Sequence, residues 1–193
     1  MSDHDLPRRA PANDIRHIKR YWIYVKAAHD GRDWANDLGF YITGHTPEDD
    51  DDESGGTRIG SISEGAERIQ EFLEADHPTY ERIGSQTQLD FAIQKKCFIV
   101  LRLYGNFWEF QNRSGGAIRT KDDHDDRYYR LLRHEIGGRG ACVSFCADTP
   151  EDRRWNIRHG INLYVDFKQS RNGQLLHLPV VIDPDIENKG GNN

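Results

Sequence analysis

Only one stretch of this chain carries helical periodicity, and that limits the folds open to it. Ile62, Ala66, Ile69 and Leu73 recur at the spacing that lines one helix face. Ser61 with Glu64 three residues on resembles a capping box, with Ser63 as an alternative cap. Pro78 ends or bends the pattern. A chain with one helix, at about residues 62–76, must build its core from sheets.

The rest reads as strand and turn. In RYWIYVKAA, Tyr21, Ile23 and Val25 point one way and Trp22 and Tyr24 the other, so the strand is covered on both sides. Gly39–Thr43 is a second strand. Leu89, Phe91 and Ile93 share parity with Cys97, Ile99, Leu101 and Leu103, but Lys95 interrupts them. This is one long strand with a defect or two strands around Gln94–Lys96. Further strands are expected at Tyr128–His134, Ala141–Ala147, Gly160–Lys168 and Leu175–Ile182. Gly105-Asn106 and Asn172-Gly173 are hairpin signals, and Ser114-Gly115-Gly116 is another turn. Thr149-Pro150 has the chemistry of a short helical start. The expected fold is mostly β: a β-sandwich of eight or more short antiparallel strands with one inserted helix. The segment Gly44–Gly60, with its run Glu48–Glu53, lacks apolar periodicity and is expected to be a solvated loop.

At 193 residues one domain is the norm. Residues 1–15 are expected to be a flexible arm, 16–186 the domain and 187–193 a polar tail. Composition is 36% hydrophobic and 30% charged, with four Trp, eight Tyr and eight Phe to fill a core. The net charge of −6 argues against a general nucleic-acid binder, although local acidic runs leave room for a basic face elsewhere. No apolar run is long enough for a bilayer and no secretory leader is evident, so a cytoplasmic protein is expected. Cys97, Cys142 and Cys146 are an odd number. Cys142 and Cys146 in one strand would lie about 13 Å apart, too far for a bridge.

No nucleophile elbow, P-loop, dinucleotide fingerprint or zinc motif is present. These absences argue against acyl transfer, nucleotide hydrolysis and dinucleotide chemistry. Nine histidines are many for this length, but His134, His159 and His177 read as hydrogen-bonded structural residues. The Asp122–Asp126 cluster lacks the spacing of an EF-hand. Asp183, Asp185 and Glu187 alternate after the last strand and are the candidate ligands for a divalent cation such as calcium, against the competing reading of a capped turn. Trp34 and Trp155, in expected loops, and Tyr164, on the polar side of its strand, are the candidate ligand-binding residues.

These observations point to a non-catalytic binding or self-assembling module, with a homodimer or larger oligomer, or a protein or glycan, as partner, and no nucleic acid or membrane. The alternatives are a metal-assisted hydrolase using clustered Asp and His, and a carbohydrate-binding module using loop tryptophans. Self-association is expected because one helix is too little to cover both Trp22 and Tyr24 on one strand and Asn162, Tyr164 and Asp166 on another.

Overall fold

The computed structural model describes residues 16–27, 38–50, 55–76, 87–88, 91–111, 116–121, 135–137, 140–147 and 157–188. Its strands are β1 (His17–Ala27), β2 (Leu38–Gly44), β3 (Thr57–Arg58), β4 (Thr87–Gln88), β5 (Phe91–Ile93), β6 (Cys97–Leu103), β7 (Trp108–Phe110), β8 (Ile118–Thr120), β9 (Glu135–Gly137), β10 (Cys142–Ala147), β11 (Ile157–Arg171), β12 (Gln174–Ile182) and β13 (Asp185–Asn188). The helices are α1 (Pro47–Asp50) and α2 (Ile62–Glu74). The chain is mostly β, in two sheets with few helices. The expected strand Tyr128–His134, residues 1–15, the turn at 114–115 and the start at Thr149 lie outside the described residues.

The first sheet runs β4-β2-β1-β6-β10-β9. β2 pairs with β1 from Tyr21↔Gly44 onward, and β3 takes up the same strand at His17 and Ile18. The chain thus leaves β1 at Gly44 and returns at Thr57. β1 and β6 are parallel, as are β13 and β5, so the strands are not all antiparallel as expected. Parallel neighbours need a crossover, and the connection from β1 to β6 carries α2.

The second sheet is built around β11. Along its 15 residues it pairs first with β13, then with β8, and then with β12 and β7 together. Asn172 (φ 53°) and Gly173 (φ 76°) close the β11–β12 hairpin as the Asn-Gly signal requires. Gly105-Asn106 does not close a hairpin. β6 pairs within the first sheet and β7 within the second, so this turn passes the chain between sheets. The Gln94–Lys96 turn does the same between β5 and β6. That explains why Lys95 breaks the alternation: it marks a change of sheet.

Alternation along β1 sorts its side chains between two cores. Tyr21 and Ile23 join a cluster with Ile99, Leu101, Phe110, Leu163 and Val165, drawn from both sheets. Ile18, Trp22 and Tyr24 join a second cluster with Ile69 and Phe72 of α2. Phe72 is fully buried and meets Trp22 edge-on at 5.1 Å. One helix therefore covers Trp22. Ser61 caps α2 by accepting from Glu64 N at 3.1 Å, and Glu64 Oε2 accepts from Gly60 N at 2.7 Å. At the other end Arg102 donates to the carbonyls of Phe72 and Ala75 while its guanidinium lies 4.3 Å over the Trp22 ring. The three cysteines are buried, and none is in a disulfide. No helix among the described residues is long and apolar enough to cross a membrane.

Candidate functional site

The residues singled out from sequence fall at several places in the chain, some of them beyond the described residues. Trp34, Trp155 and the Asp122–Asp126 cluster lie outside the described residues. Tyr164 is partly buried on β11, with the Arg119 guanidinium 5.2 Å over its ring. Asp183 is exposed at the junction of β12 and β13 and pairs with Lys121. Asp185 and Glu187 stand opposite Gly160 and Arg158 in the β13–β11 register. His177 is also exposed, 3.5 Å from Glu109, which lies 3.5 Å from Lys168. Among the described residues no three His, Cys, Asp or Glu side chains could jointly hold a metal ion.

The segment expected to be a solvated loop is instead anchored. Pro47–Asp50 forms α1, and the side chain of Asp49 is fully buried. Its Oδ2 accepts from the Thr46 amide and hydroxyl, both at 3.0 Å. Asp50 Oδ1 accepts from Gly44 N at 2.6 Å, which folds the segment back on the end of β2. Asp49 Oδ2 also lies 3.4 Å from Arg20 Nε, and Arg20 Nη2 donates to Thr57 Oγ1 at 3.0 Å. Arg20 and Thr57 lie on the α2 side of the sheet, so this ion pair ties the outgoing and returning ends of the excursion to β1. An apolar census could not show this, because the buried group is a charge.

A cluster of cations surrounds the return point. Gly55 (φ 71°) and Gly56 (φ 97°) are buried and turn the chain into β3. A Cβ on Gly56 would come within 2.5 Å of the Ile18 carbonyl oxygen, and one on Gly55 within 2.9 Å of the Lys95 stem. Glycine is required here by conformation and by space. Lys95, exposed, thus lies over the turn. Lys19, fully buried, runs its stem against Gly56. His17 and Arg58 are direct register partners and share a face of the sheet. Burial, then Lys95 and then Arg58, hold the His17 pKa below its ordinary 6.5. Lys95 and Lys19 thus pack on the turn of buried glycines, with Arg58 two residues after it and His17 opposite Arg58.

None of these residues was singled out from sequence. Two signals were there to use: the Gly55-Gly56 doublet directly after the acidic run, and the lysine that interrupts the parity of β5 and β6. The phosphate motifs searched for place glycines before a helix. Here they precede a two-residue strand, and the cations arrive from β1, β3 and the β5–β6 turn.

No curated protein matches the chain. A family model described as "pNTSase1: Predicted novel nucleotide synthetase" matches residues 39–191, which include Gly55, Gly56, Arg58 and Lys95 and exclude His17 and Arg20. That finding overturns the expected non-catalytic binding or self-assembling module, since a synthetase is a catalyst. The hydrolase and carbohydrate-binding alternatives fall with it. With well over half of its length matched, the chain belongs to this family of predicted nucleotide synthetases.

Proposed function

We propose that this chain is an enzyme that builds a nucleotide product and binds the phosphates of its substrate at the Gly55-Gly56 turn. The observation that carries this is Lys95 packed over that turn, with Arg58 two residues after it and His17 opposite Arg58. Nucleotide substrates present dense negative charge. A turn of glycines carries no side chains that would hold a phosphate group away from the cations beside it. Arg and Lys add charge-assisted hydrogen bonds. Phosphoryl and nucleotidyl transfer ask of a protein chiefly positioning and stabilisation of developing charge. Arg58 and Lys95 are exposed enough to meet a ligand. Arg20 and Asp49, buried behind them, hold Thr57 and so fix the turn before a ligand arrives.

The test is turnover. The protein is incubated with nucleoside triphosphates and magnesium, and pyrophosphate release is measured alongside chromatography for a new nucleotide. The expected result is pyrophosphate formation with a matching product. Lys95→Ala or Arg58→Ala should cut the rate at least about tenfold, the loss of one charge-assisted hydrogen bond. Turnover untouched in both variants would place the chemistry elsewhere. Absence of both turnover and triphosphate binding by calorimetry would remove the proposal.

A further inference from the structure

We propose that His17 is a protonatable ligand of the bound phosphate, so that the site takes up its anion together with one proton. This rests on the reading of the Gly55-Gly56 turn as a phosphate site. His17 lies outside the residues matched by the family model, which therefore assigns it nothing.

The geometry is specific. His17 opens β1 and stands between Arg58 of β3 on one side and Cys97 of β6 on the other. Lys95 comes from the turn leading into β6, and the Gly55 turn packs against its stem. Along its own strand the neighbouring charges are Arg16, exposed just before β1, and Lys19, buried two residues on. Lys96 precedes Cys97 in the same turn. Among the described residues, the charges that act on His17 are the cations Lys95 and Arg58. The imidazole is half-buried and so remains open to solvent on one side.

In the free protein these surroundings disfavour the imidazolium. A phosphate group seated over Lys95 and Arg58 reverses that balance. Its charge offsets the two cations and offers His17 an acceptor, so the ring gains a proton from solvent and donates to a phosphate oxygen. The bound state then holds more protons than the free state. Affinity accordingly rises as pH falls between the free and bound pKa values of His17, and is flat outside them. One coupled proton gives at most about a tenfold change per pH unit.

The probe is inorganic pyrophosphate with the full chain. The imidazole C–H resonances are titrated by NMR with and without it, and His17 is assigned by comparison with His17→Gln. In parallel, calorimetry at pH 7 in two buffers of different ionisation enthalpy gives the protons taken up. The ligand's own protons cancel in the difference between wild type and His17→Gln. The expected result is an upward pKa shift of His17 on binding. Net uptake at pH 7 should exceed that of the variant by a fraction of a proton. His17→Gln should weaken binding at pH 6 and leave it unchanged at pH 8. Pyrophosphate binding that depends on Lys95 and Arg58 but leaves the His17 titration unmoved would overturn the proposal while keeping the phosphate site. No binding at any pH would overturn both. The titration of the wild type stands by itself if His17→Gln does not fold.

Discussion

Arg20 and Asp49 form an ion pair almost entirely out of water: Nε is 3.4 Å from Oδ2, with the two side chains 4% and 0% exposed. The pair is not fully satisfied. Arg20 Nε and Asp49 Oδ1 have no hydrogen-bond partner among the described residues. Removing one member of such a pair strands the other, which costs about 3 kcal/mol or more. Asp49→Ala should therefore lower the unfolding free energy by about 3 kcal/mol in urea titration, and deleting Glu48–Glu53 should do at least as much. A deletion with an unchanged midpoint would mean that the excursion is not anchored through Asp49.

The same pair has a pH signature. Burial raises the Asp49 pKa above 3.8, and the opposing pull of Arg20 and the Thr46 hydrogen bonds does not offset it. A carboxyl whose folded pKa is raised binds more protons folded than unfolded. Its contribution to stability is then greatest below 3.8 and is lost as pH rises through the raised folded value. Stability measured against pH in wild type and Asp49→Asn should show this in the difference. Wild type should lose ground to the variant on going up from about pH 4 and then run parallel. A constant difference across that range would show that folding does not raise the Asp49 pKa.

The β character of the chain was legible because apolar alternation reports burial directly. Ile161, Leu163 and Val165 face the core, and Ile69 lies on the buried face of a correctly placed α2. Sheet membership was not legible. Both Gln94–Lys96 and Gly105-Asn106 look locally like turns between neighbours, and only the partners of β5, β6 and β7 reveal a change of sheet. The site was less legible still. It is assembled by register, His17 against Arg58, and by a lysine stem over a glycine, relationships that span tens of residues. Asp49 was misread for a different reason. An acidic run without apolar residues reads as solvated, unless a buried arginine elsewhere in the chain receives one member of it.

Arg102 should prove hard to replace. It caps the carbonyls of Phe72 and Ala75 and stacks on Trp22, and burial lowers its pKa despite the neighbouring Cys142. Arg102→Lys keeps the charge but not the planar fork. It should recover less than half of the stability that Arg102→Ala loses, itself about 2 kcal/mol. Thermal unfolding of the two variants, followed at 222 nm, measures this. Equal stability of Arg102→Lys and wild type would mean that charge alone suffices.

Cys142 faces Arg102 in the β10–β6 register, yet burial pushes its thiol up to about 12. The thiolate is the reactive species, so the folded protein should leave Cys142 unmodified by iodoacetamide at pH 8 over hours. Mass spectrometry after unfolding in the same reagent should then show three alkylated cysteines. Rapid modification of Cys142 in the folded state would mean that β10 opens readily.

Gly56 and Gly173 separate two costs that glycine replacement combines. Both have positive φ, 97° and 76°. Around Gly173 nothing lies within 4 Å of an added Cβ, whereas at Gly56 the Ile18 carbonyl oxygen would be 2.5 Å away. Gly173→Ala meets only the conformational penalty, about 1 kcal/mol. Gly56→Ala adds a clash with strand backbone that cannot swing aside, because Ile18 is paired on both edges, with Thr57 and with Phe98. Its loss should exceed that of Gly173→Ala by at least about 2 kcal/mol. It should also abolish pyrophosphate binding at protein concentrations and temperatures where circular dichroism shows the chain still folded, because the displaced turn shifts the packing under Lys95 and the start of β3, which carries Arg58. Gly173→Ala, on a hairpin remote from that turn in sequence and in sheet, should bind pyrophosphate like wild type. Equal stability losses for the two variants would show that the Gly56 turn can relax. Intact binding in a folded Gly56→Ala protein would show that the cations, not the glycine turn, supply the site.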